Sequence, residues 1–153
     1  MLEWYRHRWL IERYFYSLKA GCRVDQLQLE SGERIERAIA TYSIVAWRLM
    51  WLMHTARQQP DLPISDHLKT TEWQALYLLY HRISKLPETV PRLGESVRWI
   101  AQLGGFIGRK SDGDPGIRTL WRGWMELAPA AVMWETLQQQ QQQQQQDTTS
   151  SLQ

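Results

Sequence analysis

The strongest constraint on the fold is a long segment of helical periodicity from about Gly32 to Arg57. Apolar side chains recur in it at steps of three and four residues, namely Ile35, Ala38, Ile39, Tyr42, Val45, Ala46, Leu49 and Met53. This spacing places them on one face of an α-helix, and that face must be covered by other elements. The segment therefore favours a fold of packed helices.

Glycine and proline residues divide the rest of the chain into shorter helical segments. The pattern predicts a first helix over about residues 3–20, ending at Gly21, and a fourth over about residues 94–103. A third helix is expected after Thr71, which forms a possible capping box with Gln74. The expected fold class is mostly α, with four to five helices and at most one short strand.

Two carboxy-terminal features limit the last helix, which is expected to begin near Thr119. Pro129 is expected to kink or end it, because proline lacks the backbone N–H of a regular helix. Nine consecutive glutamines, Gln138 to Gln146, and a short polar end follow. This low-complexity composition predicts a disordered tail over residues 138–153.

Near the amino terminus, Val24 to Leu29 is either one short strand or a loop.

Composition excludes several classes of protein. The chain has 153 residues, 43% of them hydrophobic, and a net charge of +2. Cys22 is the only cysteine, so no intrachain disulfide can form. No apolar run has membrane-spanning length, and the amino terminus lacks the apolar region of a signal peptide. We therefore expect a cytoplasmic protein without a membrane partner.

The basic residues are unevenly distributed. One group lies near the start of the chain, and a second comprises Arg109, Lys110, Arg118 and Arg122. Such clusters are consistent with phosphate contacts, and they are equally consistent with solvated surface.

The first helix carries an unusual set of polar side chains. On a helical projection Arg8, Glu12 and Lys19 fall within about 60° of Tyr5, and the stripe is about 21 Å long. A neighbouring apolar stripe, formed by Ile11, Tyr14, Phe15 and Leu18, is expected to face a core.

Two interpretations of the polar stripe remain open on spacing alone. Arginine grips phosphate oxygens, whereas a glutamate among phosphate-binding groups indicates a cation between them. The alternative is an exposed helix face in which Arg8 and Glu12 form an ordinary ion pair four residues apart.

The spacing Tyr, two residues, Arg, three residues, Glu, six residues, Lys resembles the signature of a group of bacterial insertion-sequence transposases. This group is the fourth insertion-sequence family, which includes the transposon-five transposase. The segment Gly21 to Met50 resembles the region that follows the signature in this family. VRWIAQLGGFIGRKSDGDPGIRTLWRGW, Val97 to Trp124, resembles the family's carboxy-terminal pattern.

The resemblance implies a ribonuclease-H-like catalytic domain with an Asp-Asp-Glu triad and two divalent ions, normally Mg²⁺. It implies that Glu12 is the triad glutamate and a metal ligand, and that Tyr5, Arg8, Trp9 and Lys19 contact DNA. It further implies that a carboxy-terminal region pairs two subunits. Residues 1–30 are therefore expected to be the end of the catalytic domain and residues 31–137 a helical dimerisation region. The expected partners are transposon-end DNA and a second transposase subunit.

The chain departs from the family pattern in its aspartates, all of which follow Glu12, whereas both triad aspartates precede the glutamate in the family. We therefore expect a carboxy-terminal fragment of a DNA transposase, with Mg²⁺ bound only in the complete enzyme. Whether the chain acts in catalysis is left open. The alternative is a relic or a non-catalytic helical module that binds a transposase or DNA without chemistry.

Overall fold

The computed structural model describes residues 8, 11–21, 24, 28–109 and 111–150, apart from the side chains of 20 and 147–150. Its helices are α1 (residues 11–21, π-helical over Ser17–Gly21), α2 (Gly32–Gln58), α3 (Thr70–His81), α4 (Leu93–Leu103) and α5 (Ile117–Ser150). A 3-10 turn, Ile64–Asp66, precedes α3. The prediction of a mostly helical fold is confirmed.

No strand occurs among these described residues, although Pro63 and Arg92 form an isolated bridge. Of the segment that was a possible strand, the structure describes Val24, Gln28 and Leu29. None of these three is extended within a sheet, so here the loop alternative agrees with the structure.

Local hydrogen bonds explain where α2 and α3 begin. The hydroxyl of Ser31 accepts from the backbone N–H of Arg34 at 3.4 Å, which satisfies one free donor of the first turn of α2. In α3 the carboxylate of Glu72 accepts from the backbone N–H of Lys69 at 2.8 Å. The capping group is therefore Glu72, and the predicted capping box of Thr71 and Gln74 was wrong, because the helix begins at Thr70.

One hydrophobic core joins α2, the 3-10 turn, α3, α4 and α5. Its most deeply buried large side chains are Leu49, Leu52, Ile64, Leu76, Leu93, Ile100, Leu120 and Leu127. Each of these contributes about 1.5–3 kcal/mol by burial. The carboxy-terminal four helices therefore have a core of their own.

The end of α4 crosses α5 at two glycines, with almost no space between the backbones. A Cβ atom on Gly123 would lie 1.6 Å from the carbonyl oxygen of Ile100. A Cβ atom on Gly104 would lie 1.9 Å from the carbonyl oxygen of Thr119. Since real Cβ atoms do not approach backbone so closely, only glycine fits at both positions.

Helix α5 does not end at Pro129, contrary to one expectation from the sequence. The proline ring lies on the exposed side of the helix, while Leu127, Ala131 and Trp134 pack on or into the core. These contacts hold the turns on both sides of the proline in one helix, which offsets the lost hydrogen bond.

The glutamine run also differs from the sequence expectation, because α5 continues through it as a helix instead of giving way to irregular chain. Its first residue is tied to α3: the side-chain oxygen of Gln74 accepts from Trp134 at 3.0 Å and from Gln138 at 2.8 Å. Glutamine is a good helix former, and extending an existing helix avoids the cost of nucleation.

Candidate functional site

Helix α1 is attached to the bundle by a small set of contacts near its end. Leu18 is buried with Ala46 of α2 in a second, smaller cluster, against which Tyr42 and Trp121 also pack. The phenol of Tyr14 donates to the carbonyl oxygen of Ser43 at 3.4 Å. This anchoring leaves the rest of α1 on the surface.

Only part of the predicted apolar stripe of α1 is buried, and the rest is exposed to solvent. Leu18 is buried and Tyr14 half-buried, whereas Ile11 and Phe15 are 56% and 54% exposed. The expectation that all four residues face a core was therefore wrong within this chain. The two exposed side chains form the kind of apolar surface that marks contact with another protein segment.

The polar stripe of α1 is partly described. The guanidinium Nε of Arg8 donates to the carboxylate of Glu12 at 2.9 Å, and more than half of each side chain is exposed. The family resemblance implies DNA contacts at Tyr5 and Trp9, and both residues lie outside the described residues.

Lys19 lies in the π-helical turn Ser17–Gly21 and is exposed. A π-turn contains more residues than an α-turn, so Lys19 is rotated less far around the axis than the regular projection assumed. The hydroxyl of Ser17, the first residue of this turn, donates to the carbonyl oxygen of Arg13 in the preceding α-turn at 2.8 Å. Single π-turns are frequent at functional sites, and this one contains Lys19 and follows Glu12 on the same helix.

The described residues do not form a complete site for Mg²⁺. No group of three or more His, Cys, Asp or Glu side chains capable of holding a metal occurs among them. Glu12 supplies a single carboxylate, and Arg8 engages it. A divalent ion of this type needs several oxygen ligands at near-octahedral geometry, so any such site requires ligands beyond these residues.

A second candidate surface lies on the outer face of α5. Met125, Val132, Met133 and Leu137 are 51%, 64%, 67% and 45% exposed. At about 100° per residue they lie on the side of the helix opposite Leu120, Leu127 and Ala131, which are buried. Helix α5 thus carries a second set of apolar side chains beside Arg122 and Glu126 on its outer face, and the described residues leave this set exposed.

Comparison with protein-family models gives two matches. Residues 44–141 match the transposase Tn5 dimerisation domain, and residues 1–48 match the transposase DDE domain. The first match spans more than half of the chain. This protein belongs to the Tn5 transposase dimerisation domain family.

The two candidate surfaces lie in different matched domains. The apolar face of α5 lies in the dimerisation domain, whereas α1 lies in the segment matching the DDE domain. The prediction of a transposase segment with a dimerisation domain is confirmed, whereas the four-residue signature and the domain bounds stay predictions. No helix in the described part of this transposase segment is long and apolar enough to cross a membrane.

Helix α2 belongs to both matches, since they overlap over residues 44–48. Arg48, in this overlap, forms a two-point ion pair with Glu72 of α3 at 2.9 and 2.6 Å, and both side chains are largely buried. Its guanidinium also lies 4.8 Å from the ring centre of Trp124. This pair was missed from the sequence, because 24 residues separate its partners.

Proposed function

We propose that this transposase segment pairs two subunits through the outer face of α5. The observation that carries the proposal is the apolar stripe of Met125, Val132, Met133 and Leu137 within the dimerisation domain. Burying such side chains contributes about 1.5–3 kcal/mol each, so four of them on each of two copies favour association. The partner is therefore a second transposase subunit.

Sedimentation velocity of the chain at micromolar concentration tests this pairing. The wild-type chain is expected to sediment as a dimer, and the double variant Val132→Glu/Met133→Glu as a monomer, because four charges would be buried in the interface. Ile107→Glu is the matched control, since Ile107 is as exposed as Met133 and lies in a loop outside the stripe. A monomeric wild-type chain, or equal sedimentation of both variants, contradicts the proposal.

The second part of the proposal concerns α1, which corresponds to the matched DDE segment. Glu12 is the carboxylate that this chain contributes to a metal-dependent catalytic site for cutting and joining DNA at transposon ends. Tyr5, Arg8 and Lys19 hold the phosphates of the DNA, and Trp9 also contacts the DNA. The exposure of Arg8, Glu12 and Lys19 on one helix supports this role, because a long DNA strand needs accessible contacts. The division between catalytic and dimerisation regions is proposed at about residue 30.

A non-catalytic interaction module remains the second candidate function. It is favoured by the ion pair between Arg8 and Glu12, which is what an ordinary exposed helix face would contain. The two functions separate when the chain is combined with the aspartate-bearing segment of a complete family member. Glu12→Gln is then expected to abolish strand cleavage while DNA binding is retained, with Glu30→Gln, another exposed glutamate, as control. Unchanged cleavage by Glu12→Gln identifies an interaction module.

A further inference from the structure

Three arginines that are far apart in the sequence meet at one cavity. Arg13 of α1, Arg57 of α2 and Arg118 of α5 line a surface cavity of about 280 Å³, together with Tyr16 and Ser17. The remaining lining residues are apolar or glycine, and no carboxylate is among them. The lining therefore combines three guanidinium groups with the phenol of Tyr16, which can donate a hydrogen bond.

The counter-charge of Arg57 is shared with an arginine that does not line the cavity. Asp114 lies 3.1 Å from Arg57, and it also lies 3.7 Å from Arg98 on a neighbouring surface. One carboxylate is thus shared by two guanidinium groups. Arg118 occupies the first turn of α5, where the helix dipole favours negative charge. An anion in the cavity would be attracted by the guanidinium groups that line it.

We propose that this cavity binds a phosphate of the DNA backbone. Guanidinium groups match phosphate oxygens in charge and geometry, and a phenol such as that of Tyr16 is a common phosphate donor. Arg13 is the residue after Glu12 on α1 and lies about 100° further around the helix axis, so the cavity borders the polar stripe of this helix. The choice of DNA as the source of the phosphate rests on the proposed function. The residues assigned here, Arg13, Arg57 and Arg118, lie outside the four-residue signature.

The position of the cavity gives the bound phosphate a second effect. Arg13 belongs to the segment matching the DDE domain, whereas Arg57 and Arg118 belong to the dimerisation domain. Inside the chain, α1 is attached to the bundle by few buried side chains. A phosphate held by arginines from both segments ties α1 to the bundle. DNA binding therefore also fixes the helix that carries Glu12.

Pyrophosphate tests the site on the intact chain without relying on catalysis or pairing. Sodium pyrophosphate at millimolar concentration is expected to raise the Tm by several degrees relative to sodium chloride of equal ionic strength. It is also expected to slow amide hydrogen exchange in residues 11–21. Arg118→Gln abolishes both effects. Arg122→Gln retains them, because Arg122 lies one turn further along the exposed side of α5 and does not line the cavity.

A duplex DNA oligonucleotide identifies the source of the phosphate. Arg118→Gln is expected to weaken duplex binding about tenfold and to lower the slope of log K against log salt by about one. Pyrophosphate binding that depends on Arg118, without any effect of Arg118→Gln on DNA, overturns the choice of DNA and identifies a site for free phosphate compounds. No stabilisation by pyrophosphate beyond chloride, or equal losses in both variants, overturns the site itself.

Discussion

Helix α1 and the bundle of α2–α5 differ in how much of their apolar surface the chain itself covers. The bundle encloses a continuous core that includes Leu52, Ile100 and Leu127, each of them fully buried. In α1, Leu18 is buried while Ile11 and Phe15 stay exposed. The difference teaches that the bundle is stabilised by its own packing, whereas the helix with the proposed catalytic residue keeps part of its apolar surface exposed.

Each region also contains an arginine–glutamate ion pair, and the two pairs differ in their surroundings. Arg8 and Glu12 are neighbours on one exposed helix, so water screens their attraction. Arg48 and Glu72 join two helices, and Glu72 also caps α3. An interaction that orients separate elements in a partly dry setting contributes more to stability than one on a solvated face.

Among substitutions that compare the bundle with α1, Gly123→Ala is expected to cause the largest loss of stability. The new methyl group would meet the carbonyl oxygen of Ile100, so α4 and α5 would have to separate along their crossing. We expect a loss of about 3 kcal/mol in the free energy of unfolding, the upper end of the usual range for overpacking. Urea denaturation followed by circular dichroism measures it.

Gly32→Ala is the control for that substitution, because a Cβ atom on Gly32 meets nothing within 4 Å in the first turn of α2. It is expected to leave stability unchanged or to raise it by up to about 1 kcal/mol, since alanine restricts the unfolded chain. Similar losses in both glycine variants would show that the crossing of α4 and α5 is not the reason.

A smaller effect is expected from Glu72→Gln. The neutral amide cannot form the charged two-point pair with Arg48, and it leaves the arginine partly buried without its counter-charge. The expected cost is about 1.5–3 kcal/mol in the free energy of unfolding, measured by the same denaturation.

The smallest loss of stability is expected from a glutamate-to-glutamine substitution on α1. Glu12→Gln breaks only an exposed pair, so stability should change by less than about 0.5 kcal/mol. A cost at Glu12 equal to that at Glu72 would mean that α1 is as firmly integrated as the bundle, and the contrast between the two regions would fail.

Much of the helical architecture could be predicted from the sequence. Predicted limits of 32–57 for α2 and 94–103 for α4 compare with Gly32–Gln58 and Leu93–Leu103 in the structure. Apolar periodicity and glycine positions are local signals, and they act over one helix at a time. The resemblance to transposases likewise came from residues in the chain, and the family match supports it at the level of the two domains.

The tertiary structure decided which helix faces are covered and which distant side chains meet. Leu18 turned inward and Phe15 stayed outside, although both belong to one predicted stripe. Arg13, Arg57 and Arg118 reach one cavity because three helices converge there. A residue's spacing fixes its direction from its own helix axis. The neighbour that it meets depends on how helices separated by long stretches of chain cross, and that is set by packing.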